Sequence, residues 1–507
     1  MPVVIGEPLS FDDVVAVAGG TKVALSPDAG RRMEQARAVV ERAATSARPT
    51  YGINTGIGDL ATVRIDPEDA ARLQCDLLRS HATAVGAPLP TEIVRAMLVL
   101  KARTFALGAS GVRVALAERL VDMLNARIHP VVPCHGSLGA SGDLALLAHL
   151  ALPLIGEGRV EGDGGDIGTA AALAGAGLEP LGLTHKEGLA LINGTEAMLA
   201  LGILGFHRAE RLARAADVTA AMSVEACLGT DRAFAERLIG LRKHRGALLV
   251  AANLRRLLEN SAIVASHRDS DHLVQDAYSL RCIPQVHGAY RDAFGYVGTT
   301  LRAELDSAID NPSVIVESDE IISGGNFHGE ALGLSLDHLG LCATGYATIA
   351  ERRIARLVDP DLSNGLPAFL TEDPGRRTGF MIAHYTAASL TSENRAHSFP
   401  ASSDSISTSA GQEDHVSMGA TAARKTYDML SKTANVIAIE ALAAAQGLGY
   451  RDHDPAPGTG AALAAVRSVS AKLDEDRPLS GDIVAVSELI DSGALVAAVE
   501  EQIGSLH

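Results

Sequence analysis

Residues 136–144 read GSLGASGDL, and Ser141 is the group among them that could do chemistry. A serine nucleophile on a tight elbow needs the pattern G-x-S-x-G. Here Gly142 follows Ser141 directly and Asp143 comes next, so the second glycine falls one place early. A phosphate-cradling loop needs Lys and then Ser or Thr after its glycines, and none follows. Read as pattern alone, Ala140-Ser141-Gly142 is a small-residue turn capping a helix that begins near Asp143. One other chemistry requires these residue types. If the backbone folds back, the Gly142 amide nitrogen can attack the carbonyl carbon of Ala140. Glycine suits the attack because it has no side chain to clash and tolerates strained backbone angles. Loss of one water closes a five-membered ring. Loss of the Ser141 hydroxyl as a second water leaves an exocyclic methylene. The product, a methylidene imidazolone, is an electrophile, which unmodified side chains do not supply.

Such a segment must be positioned by its neighbours. PVVPCHGSLGASGD (130–143) interrupts the helical pattern with two prolines and three glycines, and the apolar run LALLAHLALPLIG follows at once. YGINTGIGDL (51–60) carries three glycines in seven residues and reads as a loop. EGDGGDIG (161–168) reads as a surface loop. Later segments are long and helical: 186–218, 287–309 with a stop at Asp310-Asn311-Pro312, 329–357, and 416–450, the last long enough for one helix of roughly 30 residues. The pattern predicts a mainly α protein. A long central helical bundle (201–507) would join a smaller, mixed N-terminal domain (1–200) that carries the glycine loop 51–60 and residues 136–144.

Bulk properties narrow the function. The chain has 507 residues, 47% of them hydrophobic, enough for a large core. A net charge of −17 and the lack of a basic patch argue against nucleic acid and anionic lipid. No apolar run is long enough to span a bilayer. The start MPVVIGEPLSFDDVV lacks the basic region of a signal peptide. Five scattered cysteines without a CxxC pair suggest a reducing compartment, with the cytoplasm as the expected address. Dispersed histidines and the absence of HExxH give no reason to expect a metal.

The segment GSLGASGDLALLAHLAL resembles the prosthetic-group segment of the histidine ammonia-lyases, within the aromatic amino acid ammonia-lyases and aminomutases. YGINTGIG (51–58), LLRSHA (77–82), EGLALINGTE (187–196), QDAYSLRCIPQVHGA (275–289), DNPSV (310–314), GGNFHGE (324–330), GFMIAHYTAASLTSEN (379–394) and QEDHVSMG (412–419) resemble that family's blocks, in its order. The resemblance implies removal of ammonia from an α-amino acid, with a methylidene imidazolone formed autocatalytically from Ala140-Ser141-Gly142 and no exogenous cofactor. It implies Tyr51 as the base that takes the β-proton, although a phenol with a pKa near ~10 must be activated by its surroundings. Arg281 would grip the substrate carboxylate, which its planar fork suits. Asn193 would contact substrate and ring and polarise the ring carbonyl. Gln275 and Tyr278 would lie around ring and substrate, and Phe327 would form a wall. His81 and Glu413 match the histidine-using members, and an apolar substrate ring would leave a buried Glu413 unpaired. A homotetramer with active sites shared between subunits is also implied. Departures are small: Leu146 stands where the family usually has proline, Ala84 where it commonly has glycine, and Arg376-Arg377 replaces a small or apolar pair.

Overall fold

The computed structural model describes residues 1–162, 165–269 and 274–507. About 60% of the chain is helical, and twenty α-helices occur among the described residues. The mainly α reading holds. None of these helices is long and apolar enough to cross a membrane.

The chain forms two compact units. The first comprises Met1–Leu204, Gly298–Asp337 and Pro400–Arg424; the second comprises Gly205–Val297, His338–Phe399 and Lys425–His507. Four of the five unit boundaries fall inside the four longest helices, Glu196–Ala226, Ile283–Leu305, Glu330–Val358 and Gly419–Leu448; the fifth lies between Phe399 and Pro400. The last of these has 30 residues, close to the length read from its alanine-rich sequence.

All strands described belong to the first unit, in four two-stranded sheets. Val3–Ile5 pairs in parallel with Val23–Leu25, and Val85–Pro88 runs antiparallel to Pro133–His135. The predicted loop at 161–168 is instead half of an antiparallel hairpin, Arg159–Gly162 with Gly165–Gly168. Residues 163 and 164 lie outside the described residues. Strand formation there follows from Val160, which is buried and bridges to Pro130; burial outweighs the poor strand propensity of glycine.

Within the second unit, residues 436–445 of the helix Gly419–Leu448 are buried all round, as expected of a helix covered on every side. A charged pair sits among them: Glu440 and Arg353 are both fully buried and bonded through both carboxylate oxygens. Hydroxyls of Thr219 and Ser223 also donate to Glu440, at 3.0 and 2.8 Å. These bonds satisfy the lone pairs that burial would otherwise leave unmet.

Candidate active site

Tyr51, His81, Ala140, Ser141, Asn193, Phe327 and Glu413 line one cavity of about 970 Å³ within the first unit. Gly142 is buried immediately behind Ser141. Six separate stretches of chain thus bring these residues together.

The tripeptide is folded back on itself. Gly139, Ser141 and Gly142 have φ of +73°, +50° and +78°, the left-handed region that costs a non-glycine residue free energy. The segment pairs with Gly194: the Gly194 N–H donates to the Ser141 carbonyl at 3.2 Å, and the Asp143 N–H donates to the Gly194 carbonyl at 2.7 Å. A Cβ on Gly142 would stand 1.7 Å from the Gly194 oxygen, so only glycine fits. A folded-back tripeptide with an obligate glycine at the attacking position fits the ring that the family resemblance implies.

Asp143 supports the segment from below. It begins the helix Leu144–Ala151 without capping it. Its carboxylate instead accepts from the N–H groups of Ala197 and Met198, both at 2.9 Å, in the first turn of Glu196–Ala226. The turn read as a local cap therefore caps a distant helix, whose exposed donors attract a carboxylate. Burial pushes the Asp143 carboxyl up to about 7, against the pull of the Met198 N–H, the Ser137 hydroxyl and the Ala197 N–H, and the nearby Glu196 adds to the rise.

Asn193 ends the short helix Glu187–Ile192. Its amide nitrogen donates to Asp310 Oδ1 at 3.2 Å and to the Asn311 carbonyl at 3.1 Å. Asp310 pairs at 2.5 Å with Lys186, which is fully buried. On the other side Lys101, also fully buried, donates to the Asn193 carbonyl at 2.6 Å and pairs with Glu196 at 2.9 Å. Sequence reasoning missed this ionic frame. Its signal was present in Lys101, which follows the five apolar residues AMLVL (96–100) on a largely apolar helix, since a charge buried at such a position requires a partner.

Tyr51 sits on the glycine loop, where the Gly58 N–H donates to its hydroxyl at 3.1 Å. The loop is pinned at its base: buried Asn54 accepts from the Thr50 N–H at 2.7 Å and donates to the Arg48 carbonyl at 3.0 Å. Burial raises the Tyr51 pKa; the Gly58 bond opposes the rise and Glu413 adds to it. The activation expected of a base is thus not provided by these neighbours, because one N–H does not offset desolvation plus a carboxylate.

His81 is the last residue of the helix Pro67–His81. Its Nδ1 lies 2.9 Å from the Leu77 carbonyl, an acceptor, so Nδ1 carries the proton and Nε2 accepts. Burial lowers the His81 pKa, while the Leu77 bond and Glu413 pull it back up. Glu413 is half-buried and accepts from the Thr408 hydroxyl at 3.0 Å. His328 and His415, unremarked in the sequence although both lie in family-like blocks, also line the cavity, with their rings stacked 5.9 Å apart.

Gln275, Tyr278 and Arg281 are not on this lining. They belong to the second unit, where Tyr278 and Arg281 begin and end a one-turn helix. Gln275 is exposed, Tyr278 is 71% exposed, and Arg281 lines another cavity of about 340 Å³. Arg281 Nε donates to the Asp276 carbonyl at 3.0 Å and the guanidinium lies over the Tyr278 ring at 4.7 Å. The large cavity itself is acidic. Its described lining holds Asp59, Asp76, Glu413 and Asp414 and neither Lys nor Arg. No group of three or more His, Cys, Asp or Glu that could hold a metal ion occurs among the described residues.

A helical protein with a folded-back Ala-Ser-Gly segment that lines one cavity with a tyrosine defines a class. The chain belongs to the aromatic amino acid lyase family, whose model matches residues 9–468. The histidine ammonia-lyase of Symbiobacterium thermophilum is 50% identical over 505 residues, 99% of each chain. That of Gloeobacter violaceus is 50% identical over 500 residues, 98% of this chain and 97% of its own. Among solved structures, tyrosine aminomutase from Streptomyces globisporus superposes with a TM-score of 0.94 at 37% identity, over the whole of both chains. Histidine ammonia-lyase from Trypanosoma cruzi superposes with a TM-score of 0.91 at 40% identity, over 99% of this chain and 96% of its own. Backbone likeness and sequence likeness thus rank these two differently. A shared backbone carries several activities, so the side chains of the site decide between them.

Proposed function

We propose that the chain removes ammonia from L-histidine to give trans-urocanate. The observation that carries this reading is the presence of His81 and Glu413 in one cavity with Tyr51 and Ser141. A neutral His81 offers Nε2 as an acceptor and Glu413 offers a carboxylate, which together suit the N–H groups of an imidazole. Relatives at about 50% identity that bear this activity support it.

A methylidene imidazolone formed from Ala140-Ser141-Gly142 would supply the electrophile that makes the amine a better leaving group. The side chains do the rest. Tyr51 takes the β-proton. Asn193 contacts the substrate beside Ser141, and Phe327 walls the cavity. Glu413 holds the substrate ring close to Tyr51.

Among the described residues, the cavity lining holds no Lys or Arg for the substrate carboxylate. We assign that role to Arg281 of another subunit in a homotetramer, with Tyr278 and Gln275 completing the site. The exposure of Tyr278 and Gln275 supports this, as does the Asp276 bond, which spends Arg281 Nε and leaves the guanidinium fork for a carboxylate. A cation arriving there would also favour the Tyr51 phenolate. Five free cysteines suit the reducing cytoplasm as the place of reaction.

The test is near-ultraviolet absorbance with L-histidine, L-tyrosine and L-phenylalanine in parallel. A rise with histidine alone, lost in Ser141→Ala, is expected. The 0.94 superposition on tyrosine aminomutase favours a second reading, a tyrosine- or phenylalanine-using lyase or 2,3-aminomutase. A rise with tyrosine or phenylalanine, or β-amino acid product without a rise, would establish it.

A further inference from the structure

The Asn193 amide can face the cavity with its nitrogen or with its oxygen, and its surroundings decide which. The side chain lies between the cavity and two acceptors, Asp310 Oδ1 at 3.2 Å and the Asn311 carbonyl at 3.1 Å. Neither can donate. The Asn311 group is a carbonyl. Asp310 already accepts at both oxygens: Lys186 Nζ lies 2.5 Å from Oδ2, and the Asn311 N–H donates to Oδ1 at 2.7 Å. Turning the amide over would set three acceptor oxygens against one another in a buried pocket with no proton among them, an unmet arrangement that folded proteins avoid. The backbone cannot relieve this. The Asn193 N–H donates to the Leu189 carbonyl at 3.0 Å, and its carbonyl accepts from Lys101 Nζ.

We propose that Asp310, paired with Lys186, is a positioning residue that turns the Asn193 amide oxygen toward the substrate, where it accepts a hydrogen bond from the α-amino group. This rests on the amino acid substrate proposed above, though not on which side chain that substrate bears. It differs from the role expected of Asn193 as a donor to the ring carbonyl, because both amide hydrogens are already engaged. Asn193 therefore reads the amine, and the Lys186–Asp310 pair reaches the substrate only through it.

The test measures binding without turnover, in the full-length Ser141→Ala protein. Titration calorimetry would compare L-histidine with its desamino analogue 3-(imidazol-4-yl)propionate, and L-tyrosine with 3-(4-hydroxyphenyl)propionate. Ser141→Ala is expected to prefer the amino form. Adding Asp310→Asn frees the amide to turn and should cut that preference at least about tenfold, with the desamino affinity unchanged. Because Asp310→Asn strands a buried lysine and could fail to fold, Lys186→Met with Asp310→Asn, which removes both charges, is measured beside it with the same expectation. An equal loss for amino and desamino forms would reduce Asp310 to a general structural role and overturn the proposal. So would an unchanged preference, or no preference in Ser141→Ala itself. Binding of the tyrosine pair in place of the histidine pair would overturn the choice of histidine and leave the Asp310 comparison readable.

Discussion

Gly142 and Gly194 meet backbone to backbone, so closely that a Cβ on Gly142 would stand 1.7 Å from the Gly194 carbonyl oxygen. Two sequence blocks more than fifty residues apart are joined by this contact. Gly142→Ala would have to break it or distort it, in addition to the strain of an L-residue at φ +78°, itself of order 1–3 kcal/mol. Intact mass should show the unmodified chain in this variant, whereas the parent should be two waters lighter. Activity should vanish with the mass change.

Asp143 makes stability depend on pH. Its folded pKa of about 7 lies above the ordinary carboxylate value. Between about pH 4 and pH 7 the folded chain keeps a proton that the unfolded chain has lost. Its contribution is therefore complete at low pH and is lost as pH rises through about 7, a change on the order of 4 kcal/mol. Chemical denaturation of Asp143→Asn across that range should lack this slope.

Tyr51 should dominate the pH profile of the reaction. Burial raises its pKa, so near neutrality the reactive phenolate is a minor form that grows as pH rises. The kcat/KM for histidine should climb with pH from neutrality upward. Tyr51→Phe should lose about 10²–10⁴-fold, the usual contribution of a positioned base, together with that climb.

Glu413 should carry side-chain selectivity. A hydrogen bond to a charged group contributes about 1.5–3 kcal/mol, so Glu413→Gln should lower kcat/KM for histidine by about 10- to 150-fold. Residual rates with phenylalanine should not fall. Parallel steady-state assays with the two substrates separate this from a general loss of fold.

Sharing of sites between subunits can be read by complementation. Tyr51→Phe and Arg281→Met should each be inactive alone. Co-expressed as mixed oligomers, they should recover activity, because some cavities then combine an intact Tyr51 with an intact Arg281 from a neighbour. Random mixing would leave roughly a quarter of the sites whole in a symmetric assembly. No recovery would place both residues in one subunit's site.

The sequence by itself determined the helical class, the long late helices and the reactive tripeptide. These depend on local periodicity, on breaking residues and on the chemistry of three adjacent residue types. Family-like blocks around Tyr51, His81, Asn193, Phe327 and Glu413 named the residues that the cavity then gathers. Tertiary structure alone decided what depends on groups far apart in the chain. Asp143 looked like the start of its own helix and instead caps another. Asn193 reads as a donor to the ring, and Asp310 and the Asn311 carbonyl accept from its amide nitrogen instead. Tyr51 needed activation, and the burial that shapes its cavity opposes it. The 161–168 loop became a hairpin because Val160 had a core to enter. In each case the deciding force is desolvation or a bond to a distant partner. Neither can be read from neighbours in sequence, because both depend on what folding removes from water.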